Sequence, residues 1–385
     1  MHFPRTKLIE KFNELFTGSK SQYIVISGAL GIGKSTFIEL LKNSNSFVEY
    51  EVEHIVLDAE SSLESLELNN KNANLLIIDT NFPVKISKIR SFIESNSPDS
   101  RIIISSDVPI MDSNIENFIL WWISFREYCE WMGHVIDIQS IMSWKESIQE
   151  LNTFRDSYIH LGQYIPNLNH PENIQESFDN KLSIMNQELF KKEEWDFLEF
   201  IRTIAMNVGD IFKEERIAKN MNISRRKVRK YTEIILKHNL IKAIGPWVEN
   251  TTTELSRHVK VYFADLAYYH AALGVWYYLG DGKQGVIENF ILLELDRKLS
   301  NTHEIRFYRK KSGAEVSFIL IETSTKKLTP VIVTTKSSGI IPQSLKSFQE
   351  SYGSGVEHAM ILNDNIIEQK ELNGVPVIII PHVAI

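Results

Sequence analysis

The chain of 385 residues contains a single cysteine, Cys129, so no internal disulfide can form and nothing points to an oxidising compartment. Cys129 itself reads as a small buried apolar residue. No apolar run is long enough to span a bilayer, and the opening MHFPRTKLIEKF lacks the apolar core of a signal peptide. The expected setting is the cytoplasm, without a membrane partner. There is no excess of positive charge: 42 lysines and arginines stand against 49 aspartates and glutamates, a net charge of −7. Contact with nucleic acid would therefore have to come from a local patch. The scattered histidines, His54, His134, His160, His258 and His303, show no metal-ligand spacing, so no zinc site is expected. Internal repeats and low-complexity segments are missing too. These absences leave an ordinary globular chain, long enough for two or three domains.

The most informative stretch present is SGALGIGKST, Ser27 to Thr36, directly after the apolar run Tyr23-Ile24-Val25-Ile26. Gly28, Gly31, Gly33, Lys34 and Ser35 fill every fixed position of G-x-x-x-x-G-K-[ST]. In such a loop the glycines let backbone N–H groups turn around phosphates. The lysine neutralises the β/γ oxygens and the serine hydroxyl ligates Mg²⁺. A β-rich run before the loop and an amphipathic run after it (Phe37 to Leu41), with Thr36 in the first helical turn, complete the context. ATP and Mg²⁺ are the implied cofactors. The apolar runs Leu75–Ile78 and Arg101–Ile104 read as buried parallel strands, which makes the first part of the chain an α/β parallel sheet. Asp79 ends the first of these runs, where an acid holds Mg²⁺ through its water shell; Asp79 and Lys34 are thus the candidate catalytic groups, with Ser35 and Asp79 the metal pair. The next position, where many ATPases carry the carboxylate that orients water, is Thr80; its hydroxyl can bond a water but cannot take its proton at neutral pH. Asp58 and Glu60 are other acids within this part, and Ser105-Ser106 ends the second strand, where a polar residue can sense the γ-phosphate.

From about Thr153 the pattern becomes helical, and RIAKNMNISRRKVRKYTEIILKHNLIKAI reads as two helices around a turn followed by a hairpin, the outline of a winged helix-turn-helix. Its second helix, capped by Ser224, concentrates Arg225, Arg226, Lys227, Arg229 and Lys230, with Val228 and Ile223 toward the core. Two readings stay open for this run: phosphate contact and major-groove insertion into double-stranded DNA, or a solvated face on a domain used for packing or oligomerisation. Phe118, Trp121, Trp122, Phe125 and Tyr128 fall at mixed spacings and read as core. After Gly280-Asp281-Gly282 a helix from Val286 to Leu299 and short strands at Ile305–Tyr308, Ala314–Ile321 and Pro330–Thr334 suggest a small mixed α/β domain.

Taken in order, several segments resemble the AAA-type ATPases of bacteria and archaea that carry a C-terminal PD-(D/E)XK-nuclease-like domain. The phosphate loop is similar to their GxRxxGKT, with Leu30 at the arginine position. IIIDTN resembles their FIDE stretch, and IIISS their IIxTGSS. ISFREYCEW (Ile123–Trp131) is similar to LSFxEY, and YIHLGQYIP (Tyr158–Pro166) to YLxxGGxP. HVKVYFADLAYYHAALG (His258–Gly274) resembles xPKxYFxDxGL, GVIENFILLEL resembles GxxxENFVxxEL, and FYRKKSGAEVSFIL resembles YYRxxxGxEVDFIL. The resemblance covers nearly the whole chain. It implies a P-loop ATPase domain at 1–152, a helical lid with a winged helix at 153–280, and a nuclease-like domain at 281–385. It also brings Gly162 and Pro166 near the nucleotide, although the second glycine of that segment is Gln163. The usual Gly-Arg before SFxEY is absent from VPIMDSNIENFILWW. In the nuclease pattern Glu288 takes the helix position, Ser317 replaces the metal-binding aspartate, Thr334 replaces the glutamate and Lys336 keeps the lysine. With two of three carboxylates gone, a two-acid Mg²⁺ site cannot be assembled as the family assembles it. Glu315 lies on the same strand face as Ser317 and is the one nearby acid.

Three functional readings follow. The first is a nucleotide-dependent switch or weak ATPase that forms a homo-oligomer and engages DNA through its winged helix, its nuclease-like module degenerate. The second is an ATP-bound regulator or scaffold that does not hydrolyse and acts through protein partners. An active metal-dependent nuclease is the third, against which the missing acids speak.

Overall fold

The computed structural model describes residues 5–28, 32–57, 68–70, 72–80, 86–106, 109–134, 148–164, 168, 170–190, 193–248, 259–274, 284–299, 302–310 and 313–385. The chain divides into two compact units, Met1–Trp122 and Ile123–Ile385.

In the first unit five strands, β1 (Tyr23–Ser27), β2 (Val52–Leu57), β3 (Leu75–Thr80), β4 (Arg101–Ser106) and β5 (Ile115–Ile119), form one sheet in the order β2-β3-β4-β1-β5, every pairing parallel. The apolar runs of β1 and β3 are buried along their whole length, as strands covered on both faces require. Helix α1 (Thr6–Gly18) packs Phe12 and Phe16 against Phe47, and Phe12 also meets Phe37 of α2 (Lys34–Asn43) and Phe118 of β5, with ring centroids 5.3 to 6.3 Å apart. Helix α3 (Ile86–Asn96) adds Ile89, Phe92 and Ile93 to a second apolar cluster with Ile78, Ile102 and Ile104. The parallel sheet fits a P-loop fold.

The second unit begins with α4 (Phe125–Trp131), started by a reciprocal cap in which the Ser124 hydroxyl takes the Glu127 N–H and the Glu127 carboxylate takes the Ser124 N–H. Cys129 and Tyr128 are buried, as their setting in an apolar segment predicts, and burial pushes the Cys129 thiol up to about 12. Helices α5 (Ile148–Leu161), α6 (Ile174–Asn186), α7 (Glu194–Met206), α8 (Glu214–Met221) and α9 (Arg225–Lys237) follow. Then come the antiparallel pair β6 (Ile241–Ile244) and β7 (Lys260–Phe263), and α10 (Leu266–Leu273). Helix α11 (Gln284–Leu299) is apolar on nearly all sides and buried from Val286 to Leu295. Its Glu294 accepts from the Phe125 N–H and the Tyr158 hydroxyl and pairs with Arg297, so one interior carboxylate joins three helices.

Beside α11 lies a mixed six-stranded sheet in the order β12-β13-β11-β10-β9-β8, built from β8 (His303–Arg309), β9 (Glu315–Glu322), β10 (Leu328–Val333), β11 (Ala359–Asn363), β12 (Glu368–Leu372) and β13 (Val375–Pro381). Helix α12 (Gln343–Tyr352) covers it with Leu345 and Phe348. Strand β10 ends at Val333, so Thr334, expected inside the strand, follows it instead.

Candidate functional site

The C-terminal ends of β1, β4 and β3 stand side by side, with Ser27 opposite Ser106 and Ile78 opposite Ile104. Gly28 leaves β1 there. Its N–H donates to the Ser106 carbonyl at 3.0 Å, and a Cβ on it would stand 2.7 Å from the Leu120 carbonyl oxygen, so a larger residue would force the strand ends apart. Gly33, at φ 90°, makes the left-handed step that starts α2. The first turn of α2 holds Lys34, buried, with its ammonium donating to the Gly28 carbonyl at 2.9 Å, and Ser35 and Thr36, both exposed. Unsatisfied N–H groups and the helix dipole make this turn a natural anion site.

Asp79 and Thr80 are buried at the end of β3, with β4 inserted between them and β1. Ser105 of β4 fixes both. Its Oγ lies 2.7 Å from Asp79 Oδ1 and accepts from the Thr80 N–H at 2.7 Å. The sequence offered Ser105 as a sensor; the structure makes it a clamp on Asp79. Gly31, Asp58, Glu60 and Pro166 lie outside the described residues. Gly162, in the second unit, has φ 76°, and a Cβ there would fall onto Asp265 Oδ1. Asp265 caps α10 through the Ala267 N–H at 2.8 Å and accepts from the Gln163 N–H at 3.1 Å. Full burial pushes its carboxyl up to about 6, against the pull of these N–H donors and of Lys181.

Helices α8 and α9 meet around Asn222, whose left-handed backbone ends α8, and Ser224, whose hydroxyl takes the Lys227 N–H to cap α9. Val228, Tyr231, Ile234 and Ile235 are buried. The basic residues on α9 are mostly matched within the unit: Arg225 pairs with Glu215 at 2.9 Å, Lys227 with Asp196 at 2.5 Å, Arg229 with Glu214 at 2.8 Å and Lys230 with Glu193 at 2.7 Å. Arg226 is exposed and makes no ion pair among the described residues. An isolated antiparallel bridge pairs Ile211 with Lys260 of β7.

The positions matched to the nuclease pattern only partly converge. Glu288 of α11, buried, accepts from Ser317 Oγ (3.0 Å) and Gln284 Nε2 (3.2 Å) on one oxygen, and from Lys260 Nζ (3.1 Å) and the Tyr262 hydroxyl (3.1 Å) on the other. Ser317 Oγ also takes the Val333 N–H. Lys260 pairs in addition with Glu315, which Arg309 holds from the other side at 3.0 Å. Burial, with the Glu288 carboxylate beside it, drives the Tyr262 phenol well above its usual range. Thr334 and Lys336 do not join: the Thr334 N–H donates to the Leu362 carbonyl, and Lys336 is exposed. Sequence reasoning missed Lys260 and Tyr262. Both stand at fixed positions of the segment similar to xPKxYFxDxGL, and their Lys-x-Tyr spacing puts them on one face of a strand. Among the described residues no group of three or more His, Cys, Asp or Glu side chains is arranged to hold a metal ion, and no helix is long and apolar enough to cross a membrane.

In comparisons with known proteins, residues 186–276, less than half of the chain, match a family described as Domain of unknown function (DUF8612). That stretch runs from the end of α6 through α10. No curated protein matches. Among solved structures the chain is similar to the DNA clamp loader delta protein (YqeN) of Bacillus subtilis, at 9% identity over 59% of this chain and 87% of that one, with a TM-score of 0.24. At that score the likeness bears on neither fold nor function.

Proposed function

We propose that the chain is an ATP-binding P-loop protein of AAA type that works as a nucleotide-dependent switch or weak ATPase. The observation that carries this reading is the Gly28–Ser35 loop joining β1 to α2 at the C-terminal edge of a parallel sheet, with Asp79 two strands away at the same edge. Backbone N–H groups of the loop beyond Gly28, up to Thr36, and Lys34 would hold the phosphates. Lys34 would give up its bond to the Gly28 carbonyl for the β/γ oxygens. Ser35, exposed in the first turn, and Asp79, oriented by Ser105, would hold Mg²⁺, which when bound neutralises phosphate charge. Gly31, Thr36 and Pro166 complete the proposed nucleotide contacts. Divisions at 152 and 280 would separate this domain from the helical and winged-helix part and from the nuclease-like part.

For the winged helix, the order α8, α9, β6, β7 supports the reading, as does local charge. Residues 186–248 hold 13 lysines and arginines against 9 aspartates and glutamates in a chain that is acidic as a whole. Double-stranded DNA is its proposed partner through Arg225, Arg226, Lys227, Arg229 and Lys230. The Arg225–Glu215 and Arg229–Glu214 pairs are exposed, and pairs of that kind are worth only about 0.2–1 kcal/mol each, so phosphates can displace those acids. The nuclease-like part, 281–385, carries no nuclease activity in this reading, because Ser317 and Thr334 stand where acids are needed.

The second reading, an ATP-bound regulator or scaffold without turnover that acts through protein partners, is favoured by one observation: Thr80, buried and tied through its N–H to Ser105, offers no general base beside Asp79. ATP turnover with and without double-stranded DNA, in the wild type and Lys34→Ala, separates the two. Turnover above background that Lys34→Ala abolishes supports the switch; nucleotide binding with no turnover supports the regulator. Absence of nucleotide affinity in the purified protein sinks both.

A further inference from the structure

We infer that the Lys260 ammonium is the built-in cation of the Glu288–Glu315 carboxylate pair, holding the place a divalent metal takes in a carboxylate site, so that this cluster functions without metal. A carboxylate offers about four lone-pair directions. Glu288 has four donors on its two oxygens: Ser317 and Gln284 on one, Lys260 and Tyr262 on the other, all at 3.0 to 3.2 Å. No direction is left for an ion. Glu315 is likewise held between Lys260 and Arg309. Two carboxylates thus face one ammonium and one guanidinium, and the group is neutral as it stands.

The lysine is built into this place. Only 2% of its side chain is exposed, its Nζ lies 5.7 Å from the centre of the Phe307 ring, and its strand neighbour on the same face, Tyr262, binds the same Glu288 oxygen. A divalent ion among these carboxylates would meet a fixed positive charge in a setting that screens poorly. Ser317 fits the same logic. Its hydroxyl donates to Glu288 and accepts from the Val333 N–H, whereas an aspartate would bring a third negative charge within hydrogen-bond distance of Glu288 with no cation to match it. Lys260 thus supplies the cation from within the chain, and Ser317 completes the donors around Glu288 without adding charge. Lys260 also lies inside the 186–276 family match while both its carboxylates lie beyond it, so the pair ties that stretch to α11 and β9.

The placement of Lys260 stands on these distances alone; only the choice of position 317 rests on the nuclease-like reading. The test uses the full chain, nucleotide-free, with MnCl₂ as the probe, followed by thermal melting and Mn²⁺ electron paramagnetic resonance. Wild type and Glu288→Gln are expected to bind Mn²⁺ alike, and Lys260→Gln to melt several degrees lower, while Lys260→Arg, which keeps the charge, recovers part of the loss. Mn²⁺ binding by the wild type that vanishes in Glu288→Gln overturns the inference even if the Lys260 variants do not fold. So does a Lys260→Gln protein that melts with the wild type. Failure of Lys260→Gln to fold where Lys260→Arg folds supports the need for the cation. Lys260→Gln/Ser317→Asp tests the nuclease-like reading separately: new Mn²⁺-dependent stabilisation upholds it, and none counts against that reading while the single-variant results decide the inference.

Discussion

The edge of the parallel sheet and the Glu288 cluster are both gatherings of charged groups at the ends of strands and helices, yet they are finished differently. At the sheet edge Lys34 rests on a backbone carbonyl, a bond that a phosphate oxygen can replace with gain, and the hydroxyls of Ser35 and Thr36 face solvent. In the Glu288 cluster every carboxylate oxygen is matched by donors from the chain, and the positive charge is the chain's own. If the sheet edge takes a nucleotide as proposed, its partners are exchanged on binding, whereas the Glu288 cluster uses its donors within the fold. The comparison is sharpest in the two lysines, each buried: Lys34 donates to the Gly28 carbonyl, and Lys260 lies between two acids.

Replacing each lysine breaks or sharpens that contrast. Lys260→Met leaves the buried Glu288 and the partly exposed Glu315 short of their cation, and loss of one partner of a buried pair such as Lys260–Glu288 costs about 3–5 kcal/mol. Chemical denaturation should show that loss, with no change caused by added Mg²⁺. Lys34→Ala should leave the melting temperature of the nucleotide-free protein nearly unchanged but weaken ATP binding by about 1.5–3 kcal/mol, the worth of a hydrogen bond to a charged group, as calorimetric titration would read. If the two substitutions had the same effect on stability, the distinction between an open and a closed site would fail.

Asp265 gives a pH-dependent version of the closed site. Its carboxyl is pushed up to about 6 in the folded chain, against 3.8 for an unperturbed aspartate. Because the folded pKa lies above the unfolded one, the folded chain binds more protons between those values. Stability should therefore fall as pH rises from about 4 to 6 and level off above, with a slope in that window of about 1.4 kcal/mol for each step of one in pH. Asp265→Asn should flatten that dependence in melts taken across the window. The variant should also be less stable at pH 7, since an amide offers a donor where the N–H groups of Gln163 and Ala267 need acceptors.

How much of this could be read in advance depended on distance along the chain. The strand, loop and helix of 23–43 are contiguous, so glycines, lysine and periodicity announced them together, and Asp79 followed from the run of apolar residues it ends. Helix α9 and its cap at Ser224 were equally local. What escaped was assembled from far apart. Lys260, Glu288 and Glu315 come from a strand, a helix and a second strand, and only folding puts them in contact. The partners of Lys227 and Lys230 lie 31 and 37 residues away at the start of α7, so a run that reads as bare positive charge is in fact paired. Ser105 was noticed for its place at a strand end, but its bond to Asp79 depends on β4 lying beside β3, an order that strand composition does not encode.

The smallest expected effect tests what that pairing leaves over. If α9 meets DNA through all five cations, the logarithm of affinity should fall with the logarithm of salt at a slope of about −4.5, near 0.9 for each phosphate neutralised. If the four paired residues stay with Glu215, Asp196, Glu214 and Glu193, only Arg226 contributes and the slope should be about −1. Fluorescence anisotropy of labelled duplex DNA over a salt series gives the number directly. Arg226→Ala should then make the slope shallower by about one in the first case and remove nearly all of it in the second. The charge-neutralising pair Glu214→Gln and Glu215→Gln, which frees Arg229 and Arg225 without adding cations, should steepen the slope only if those residues are held back in the native protein. A duplex that binds with no salt dependence, or not at all, would assign α9 to packing and make its ion pairs the same kind of closed arrangement as the one around Lys260.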